Sequence, residues 1–318
     1  LIEKSGMDLQ AASLRYNLFK GEFTVEGLTV RSASVPGLSP LFQADRVYAK
    51  PDLHAILRGS WDFEELQITR PRIHYCVGED GRNNLPRTEP SSGPAPSFFI
   101  ANAAALEGSV RIEDRPKRLS ASVPRWQFRM RGDRKTGNHA FDFSTLQPGS
   151  VRVRENAVPI DRLRVSGELL PAALRLERAY VESSGSRVSV SGSWNGFSRP
   201  RLDLRIEPDL DLGAIARTVS FFRGLDGRLS GNLRAHGAMQ DLRLAARLRG
   251  ERFSALSFRN TRFDFEGAGA WDGHRLELRD LQLRSPHGAV SGSAELSAGS
   301  GTGENRIRAE LRGFDLAP

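Results

Sequence analysis

Apolar and polar residues alternate with period two over most of the chain, the pattern of strands whose successive side chains point to opposite faces. Leu242, Leu244, Ala246 and Leu248 fall in one phase, and Arg243, Arg247 and Arg249 in the other. Leu202, Leu204 and Ile206 repeat this against Asp203 and Arg205, and Trp126, Phe128 and Met130 against Gln127, Arg129 and Arg131. Ile307, Ala309 and Leu311 against Arg308, Glu310 and Arg312 do the same near the end of the chain. Shorter alternating runs at 23–25, 42–44, 73–77, 110–112, 141–143, 151–153, 163–165, 174–176, 188–190, 263–265 and 276–278 bring the expectation to well over a dozen strands. Strands with one apolar and one polar face belong to antiparallel sheets wet on one side.

Helical signals are few. Asp211 is placed to cap a helix to about Phe222, with Leu212, Ile215, Ala216, Val219 and Phe222 as its apolar stripe and Gly224 just past its end. Asp52 is placed to start a short turn carrying Leu53, Ile56 and Leu57 before Gly59, and Met7, Leu9, Ala11 and Leu14 suggest a third helix in the first fifteen residues. So few helices cannot cover the apolar faces of so many strands. Residues 86–97 (PRTEPSSGPAPS) and 298–304 (AGSGTGE) read as flexible loops. The strand pattern is the same on both sides of each, so neither marks a domain boundary.

A weak internal repeat accompanies the strands. An apolar residue precedes Ser-Gly at Val165, Val190, Leu229 and Val290, and Glu-Gly at Val25, Leu106 and Phe265. Glycine inside a strand marks a bulge, a bend or a close backbone approach, so these suggest a curved sheet built by repetition. The spacing is too irregular for a propeller or a strict solenoid.

Composition sharpens this picture. The chain has 318 residues, of which 39% are hydrophobic, a proportion suited to a sheet with half its residues facing water. The net charge of +8 comes from 46 basic and 38 acidic residues. Only Lys4, Lys20, Lys50, Lys117 and Lys135 are lysines; the rest are arginines strung along the strands. A nucleic-acid binder clusters its cations, so the expectation is wet strand faces and no nucleic-acid partner. The single cysteine, Cys76, excludes an intramolecular disulfide and any multi-cysteine metal site. No run approaches the ~20 apolar residues of a membrane helix; Phe98 to Leu106 is short and carries Asn102. With no signal peptide and no initiating Met, the chain reads as a piece of a longer protein.

Recognisable catalytic chemistry is missing. His54, His74, His139, His236, His274 and His287 form no H-E-x-x-H pair and no short-range metal spacing, so no metal site and no cofactor are expected. Cys76 lies in the alternating run 73–77 and reads as an inert packed residue. No nucleophile elbow, P-loop or dinucleotide fingerprint is present. The glycine-rich stretch 267–273 lies between strands and reads as a turn, as does Arg131–Gly132–Asp133. Asp62, Glu64 and Glu65, and Asp203, Asp209 and Asp211, read as solvated strand edges and a helix start. A polysaccharide hydrolase would need two carboxylates converging in a cleft. The favoured reading is not an enzyme.

The first ninety residues carry a resemblance. A glycine-broken strand pair (LFKGEFTVEGLTVRSA) precedes a strand with Phe42, Ala44 and Val47, then a short turn with Leu53 and Leu57. Phe63, Leu66, Ile68, Pro71 and Ile73 follow, then an Asp80–Gly81 turn with Asn83 and Asn84, then the proline-rich loop. In order and spacing this resembles the start of the AsmA-like proteins, within the AsmA/TamB superfamily of bacterial envelope proteins. Ala101 to Asp114 is similar to that family's strand–Glu-Gly–strand unit, and RVSVSGSWNGF, DLGAIARTVSFFRGLDGRLSGNLRAHG and AVSGSAELS resemble its later repeats. The resemblance covers nearly the whole chain through short, degenerate motifs; the N-terminal membrane anchor of the family is absent from this sequence.

The resemblance implies an elongated, twisted, antiparallel β-groove of degenerate repeats with a few short helices. Residues 1–85 would be its N-terminal segment, 86–97 a flexible loop and 98–318 the continuing groove. At ~4.8 Å per strand, roughly twenty strands would make a trough on the order of 95 Å long. The family implies a non-enzymatic, monomeric protein in the periplasm, tethered to the inner membrane, that conducts phospholipids toward the outer membrane. Another branch is associated with outer-membrane protein assembly, which here would mean holding nascent strands by β-augmentation. Acyl chains are expected on the apolar phase, at Phe23, Val25, Phe42, Ile68, Ile73, Tyr75, Val110, Ile112, Leu202, Leu204, Leu242 and Leu244.

Overall fold

The computed structural model describes residues 6–17, 19–35, 37–86, 98–197, 199–219, 223–255, 258–297 and 306–312. The protein is all-β apart from two short helices, and it divides into two compact units, residues 1–169 and 170–318. Residues 87–97 and 298–304, the greater part of the expected flexible loops, lie outside the described residues.

The first unit contains β1 (Met7–Gln10), β2 (Ser13–Asn17), β3 (Glu22–Ser32), β4 (Phe42–Pro51), α1 (Leu53–Leu57), β5 (Trp61–Thr69), β6 (Arg72–Val77), β7 (Phe98–Asp114), β8 (Leu119–Asp133), β9 (Asn138–Thr145), β10 (Gly149–Val153), β11 (Asn156–Ile160) and β12 (Arg162–Leu170). The expected N-terminal helix is not formed. Met7 pairs with Ser32 and Leu14 with Val25, so these residues build β1 and β2 along β3. Met7 and Leu9 are spaced by two, the period of a strand, and β3 offers them a ladder, whereas Ala11 falls in the link between β1 and β2.

The expected antiparallel order also needs correction. β4 pairs antiparallel with β3, β5 and β6, but β5 and β6 both run parallel to β7. A parallel pair needs a long crossover, and the twenty residues between Val77 and Phe98 supply one. β8 then pairs antiparallel with β7, and carries β9 and β10 along its other edge; β12 extends β9, and β11 extends β10.

The long strands of this unit break where left-handed residues interrupt them. Gly27 has φ 63°, Arg70 φ 50° and Glu107 φ 57°, and the β7–β8 register shifts between Ala105 and Val110. Each break moves the apolar phase by one residue. It runs 23, 25 and then 28, 30 in β3, and 42, 44 and then 47, 49 in β4. Arginine and carboxylate side chains gather beside the breaks: Asp45 pairs with Arg70 at 2.7 Å and Arg72 at 3.0 Å, and Arg125 pairs with Glu107. Gly108 is required here, because a Cβ would stand 2.4 Å from the ring of Trp126. Over that gap Ala105, Val123 and Trp126 form the buried centre of the unit, with Ile68, Ile73, Val110, Phe128 and Phe143 packed around them.

Helix α1 begins as the sequence predicts. The Asp52 carboxylate accepts from the N–H groups of His54 at 3.0 Å and Ala55 at 3.1 Å. The Ala55 N–H, and after it the Arg134 charge, hold the Asp52 carboxyl below its ordinary value. Arg134 bridges Asp52 at 3.3 Å and Asp62 at 3.0 Å, so the cap of α1 and an acidic residue of β5 converge on one guanidinium.

The turn after β6 is tied down by Asn84, which is 1% exposed. Its Oδ1 accepts from the Cys76 N–H at 2.9 Å, and its Nδ2 donates to the carbonyls of Ser39 at 3.1 Å and His74 at 2.5 Å. Replacing it would strand the Cys76 N–H and the His74 carbonyl on β6. Asn84→Ala is expected to cost about 3 kcal/mol in a denaturant titration; a loss below ~1 kcal/mol would show that these groups find other partners.

The second unit is a meander. Its strands are β13 (Ala173–Ser183), β14 (Ser186–Asn195), β15 (Arg201–Asp211), β16 (Asp226–Ala238), β17 (Asp241–Ala255), β18 (Phe258–Trp271), β19 (Arg275–Ser285), β20 (Gly288–Ser297) and β21 (Arg306–Arg312). Each pairs antiparallel with the next. Helix α2 (Leu212–Thr218) interrupts the meander after β15, capped by the Asp211 carboxylate, which accepts from the Ala214 N–H at 2.7 Å. The helix is shorter than the sequence predicts: it ends at Thr218, and Val219, expected on its apolar stripe, is extended with φ −116° and ψ 110°; residues 220–222 lie outside the described residues. The glycine-rich stretch from Gly267 is not a turn: residues 267–271 complete β18, and the turn is confined to Asp272, Gly273 and His274. Small residues there leave room for larger ones opposite, since Leu278 Cδ2 would stand 2.9 Å from a Cβ on Gly269.

Candidate functional site

Residues opposite one another on paired strands share a face. In the second unit the register therefore assembles rows running across the sheet. One row follows Leu176, Gly192, Leu204, Ala235, Leu244, Gly269, Leu278 and Ala294 from β13 to β20. Beside it lies the row Leu174, Trp194, Leu202, Gly237, Leu242, Trp271, Leu276 and Leu296. The first row alternates large and small residues, so leucines lean over their glycine and alanine neighbours; Ala235 is 6% exposed for this reason. The leucines themselves are half-buried: along β17 Leu242, Leu244 and Leu248 are all intermediate, whereas Arg243, Arg247 and Arg249 are exposed. A second layer packed on this face would bury such leucines more deeply.

The Ser-Gly repeat acquires a meaning in this register. Gly192 lies opposite Leu204, Gly231 opposite Leu248 and Gly292 opposite Ala309, each in the apolar phase, with its serine in the polar phase. Gly192 (φ 132°) and Gly231 (φ 153°) adopt backbone that L side chains rarely enter, and a Cβ on either would meet carbonyl oxygen of the neighbouring strand at 2.0 and 2.1 Å. The repeat thus marks places where the strand is distorted and the apolar face is at its lowest.

The first unit builds its apolar face in two stretches, one on each side of the strand breaks. Val25, Val47, Ile68, Ala105, Phe128, Phe143 and Val165 follow one another across β3, β4, β5, β7, β8, β9 and β12. Past the breaks, Val30, Phe42, Ile73, Val110, Val123 and, on β10, Val151 opposite Ala121 continue it. Stacked and tilted rings thicken the first stretch: Trp126 and Phe143 lie 5.5 Å apart, and Phe128 and Phe141 6.3 Å apart.

Every residue named from the alternation falls on one of these faces. Phe23 lies opposite Ala49 and Val25 opposite Val47 on β4; Phe42 lies opposite Ile73, and Tyr75 lies beside Ile112. Leu202 and Leu204 flank β16 on one side, and Leu242 and Leu244 on the other. The sequence reading left the aromatics Trp126, Phe128, Phe141 and Phe143 off its list of lining residues, although their alternation with polar residues was visible. What was not visible is that β8 and β9 join the face of β3 to β5, because that depends on β7 inserting between β5 and β8.

The opposite face of the second unit is charged and internally paired. Arg249 meets Asp264 at 2.9 Å, Arg247 meets Glu266 at 3.1 Å, Arg228 meets Asp209 at 2.6 Å and Arg275 meets Glu295 at 2.5 Å. The Arg228 guanidinium holds the Asp209 carboxyl below its ordinary value, and Arg279 does the same to Glu277. Such pairing across strands offsets part of the arginine charge on this face. The acidic residues singled out in the sequence are spent here as well: Asp203 lies 3.9 Å from both Arg234 and His236, and Asp211 caps α2.

On the polar side of β6 and β7, His74, Cys76 and Glu113 come together, with ligand atoms all within 4.8 Å of one another. The sequence reading expected no metal site, because the histidines show no short-range metal spacing and Cys76 reads as a packed residue; Glu113 joins His74 and Cys76 only through the β6–β7 register. Among the described residues no helix is long and apolar enough to cross a membrane. No protein-family model matches the chain, and no curated protein matches it.

Proposed function

We propose that the chain is a non-enzymatic segment of a bacterial envelope protein whose apolar sheet faces carry phospholipid acyl chains between the inner and outer membranes. The observation that carries this reading is the half-buried apolar face. In the second unit it crosses strand after strand without a charged residue in its two main rows, and its leucines, apart from the buried Leu202, are only partly covered. Exposed apolar surface of this extent marks an interaction site. Nine strands at ~4.8 Å spacing make that face on the order of 40 Å across. The chains of one lipid leaflet occupy about 15 Å, half of the ~30 Å hydrocarbon core of a bilayer. The face therefore suits several lipids in succession better than a single ligand.

The order of motifs resembling AsmA-like proteins supports the same reading, and with it a periplasmic location and a tether in the inner membrane. Headgroups would stay in water at the margins of each face, with arginines within reach of their phosphates.

The protein purified from a bacterial envelope under mild conditions is expected to carry several phospholipids per chain by native mass spectrometry, and to extract fluorescent phospholipid from vesicles. Protein free of lipid that also extracts none would overturn the reading. Recovery of unfolded outer-membrane proteins in place of lipid, with sensitivity to prolines on the edge strands, would favour the strand-holding role instead.

A further inference from the structure

We propose that His74, Cys76 and Glu113 form a Zn2+ site that staples β6 to β7 on the polar side of the first unit. This inference is independent of the lipid reading.

The topology creates the cluster. His74 and Cys76 are two residues apart on β6 and so project from one side of it. The parallel register sets Cys76 beside Glu113 and His74 beside Arg111, which brings the carboxylate to that same side. The apolar face is left to Ile73, Tyr75, Val110 and Ile112.

The ligand atoms fit a borderline-soft divalent ion. A thiolate, an imidazole and a carboxylate are the three donor types that Zn2+ takes, and three protein ligands leave a fourth position for water. His74 Nε2 and Glu113 Oε2 stand 3.7 Å apart, too far for a hydrogen bond. Two ligands at Zn2+ distances in a tetrahedron would stand about 3.4 Å apart, so little movement closes the site.

Two further features point to an ion. His74 Nε2 is shut off from solvent yet has no hydrogen-bond partner, an uncompensated polar atom aimed at the cluster. Glu113 is already oriented: Arg111 holds its Oε1, leaving Oε2 turned to His74, the arrangement by which an outer partner positions a metal-binding carboxylate. Cys76 is 2% exposed, so the ion would enter as the protein folds, and the thiol proton would leave to solvent.

The site has a mechanical rationale. β6 is six residues long and meets β4 at only two register positions, Phe42–Ile73 and Gln43–Arg72. Its parallel pairing to β7 is its main attachment, and an ion shared by His74, Cys76 and Glu113 would lock that pairing.

The test is titration of the metal-free chain with Zn2+ and, separately, with Co2+, whose thiolate charge-transfer absorption reports sulfur ligation. One ion per chain is expected, with the absorption present and the melting temperature raised. Cys76→Ser should abolish the absorption, and Cys76→Ser and His74→Gln should each weaken Zn2+ binding at least tenfold, while His54→Gln, on α1, should leave it unchanged. Should Cys76→Ser fail to fold, Glu113→Gln, at a less buried position, provides the same comparison of Zn2+ affinity. Wild-type protein that binds no ion, binds Co2+ without thiolate absorption, or binds Zn2+ no more tightly than Glu113→Gln overturns the site.

Discussion

Leu244→Asp is expected to strip the second unit of phospholipid while leaving it folded, and Leu204→Asp to do the same. Both leucines flank Ala235 in the row that alternates large and small residues. A carboxylate there keeps its hydration, so water enters the row and adjacent acyl methylenes cannot be dried. Each buried methylene contributes about 0.8 kcal/mol. Losing contact with two or three costs ~2 kcal/mol, a reduction of roughly thirtyfold in lipid retained. The fold should survive because both leucines are half-buried and the backbone ladder is unchanged. Arg243→Asp, one residue away on the charged face, is the control and should keep its lipid. Quantitative lipid mass spectrometry on folded protein, checked by circular dichroism, decides the matter. Equal lipid in Leu244→Asp and Arg243→Asp would remove the apolar row from the function.

Trp126→Ala is expected to be the most damaging single change in the first unit, costing about 3–5 kcal/mol. The indole is 6% exposed and fills the space above Gly108, against Ala105, Val123 and Phe143. Alanine would leave a cavity between two rigid sheet segments that cannot both collapse into it. Trp126→Phe should behave differently. The indole N–H is buried and has no hydrogen-bond partner, so removing it relieves an uncompensated donor. Most of the ring volume is kept, and the expected loss is below ~1.5 kcal/mol. Denaturant titrations of both variants test this. A mild Trp126→Ala, or a Trp126→Phe as severe as the alanine, would show that ring volume is not what holds this centre.

The alternating phase of β17 was fully legible in the sequence, and so were the caps at Asp52 and Asp211. These are local matters: a strand's period sets which side chains share a side, and a carboxylate caps the N–H groups two and three residues on. The same alternation was available at Met7, Leu9 and Ala11, where weighing it as a helix stripe produced the mistaken N-terminal helix. The stretch from Gly267 misled in a similar way. Glycine was taken as punctuation, whereas here it yields space to Leu278 and Leu281 on the next strand.

By itself the sequence determined the all-β class, the two faces of each strand and the membership of the apolar phase, because period-two alternation is imposed by the pleat of the individual strand. The tertiary structure decided which strands are neighbours. The parallel seating of β5 and β6 against β7 follows from a crossover whose residues carry no periodic signal. At Gly27, Arg70 and Glu107 left-handed backbone interrupts the strands and the apolar phase steps by one residue. The meeting of Glu113 with His74 and Cys76 depends on a register between segments nearly forty residues apart. Period is a property of one strand, whereas neighbours and register arise from the balance of packing and hydrogen bonding over the whole sheet.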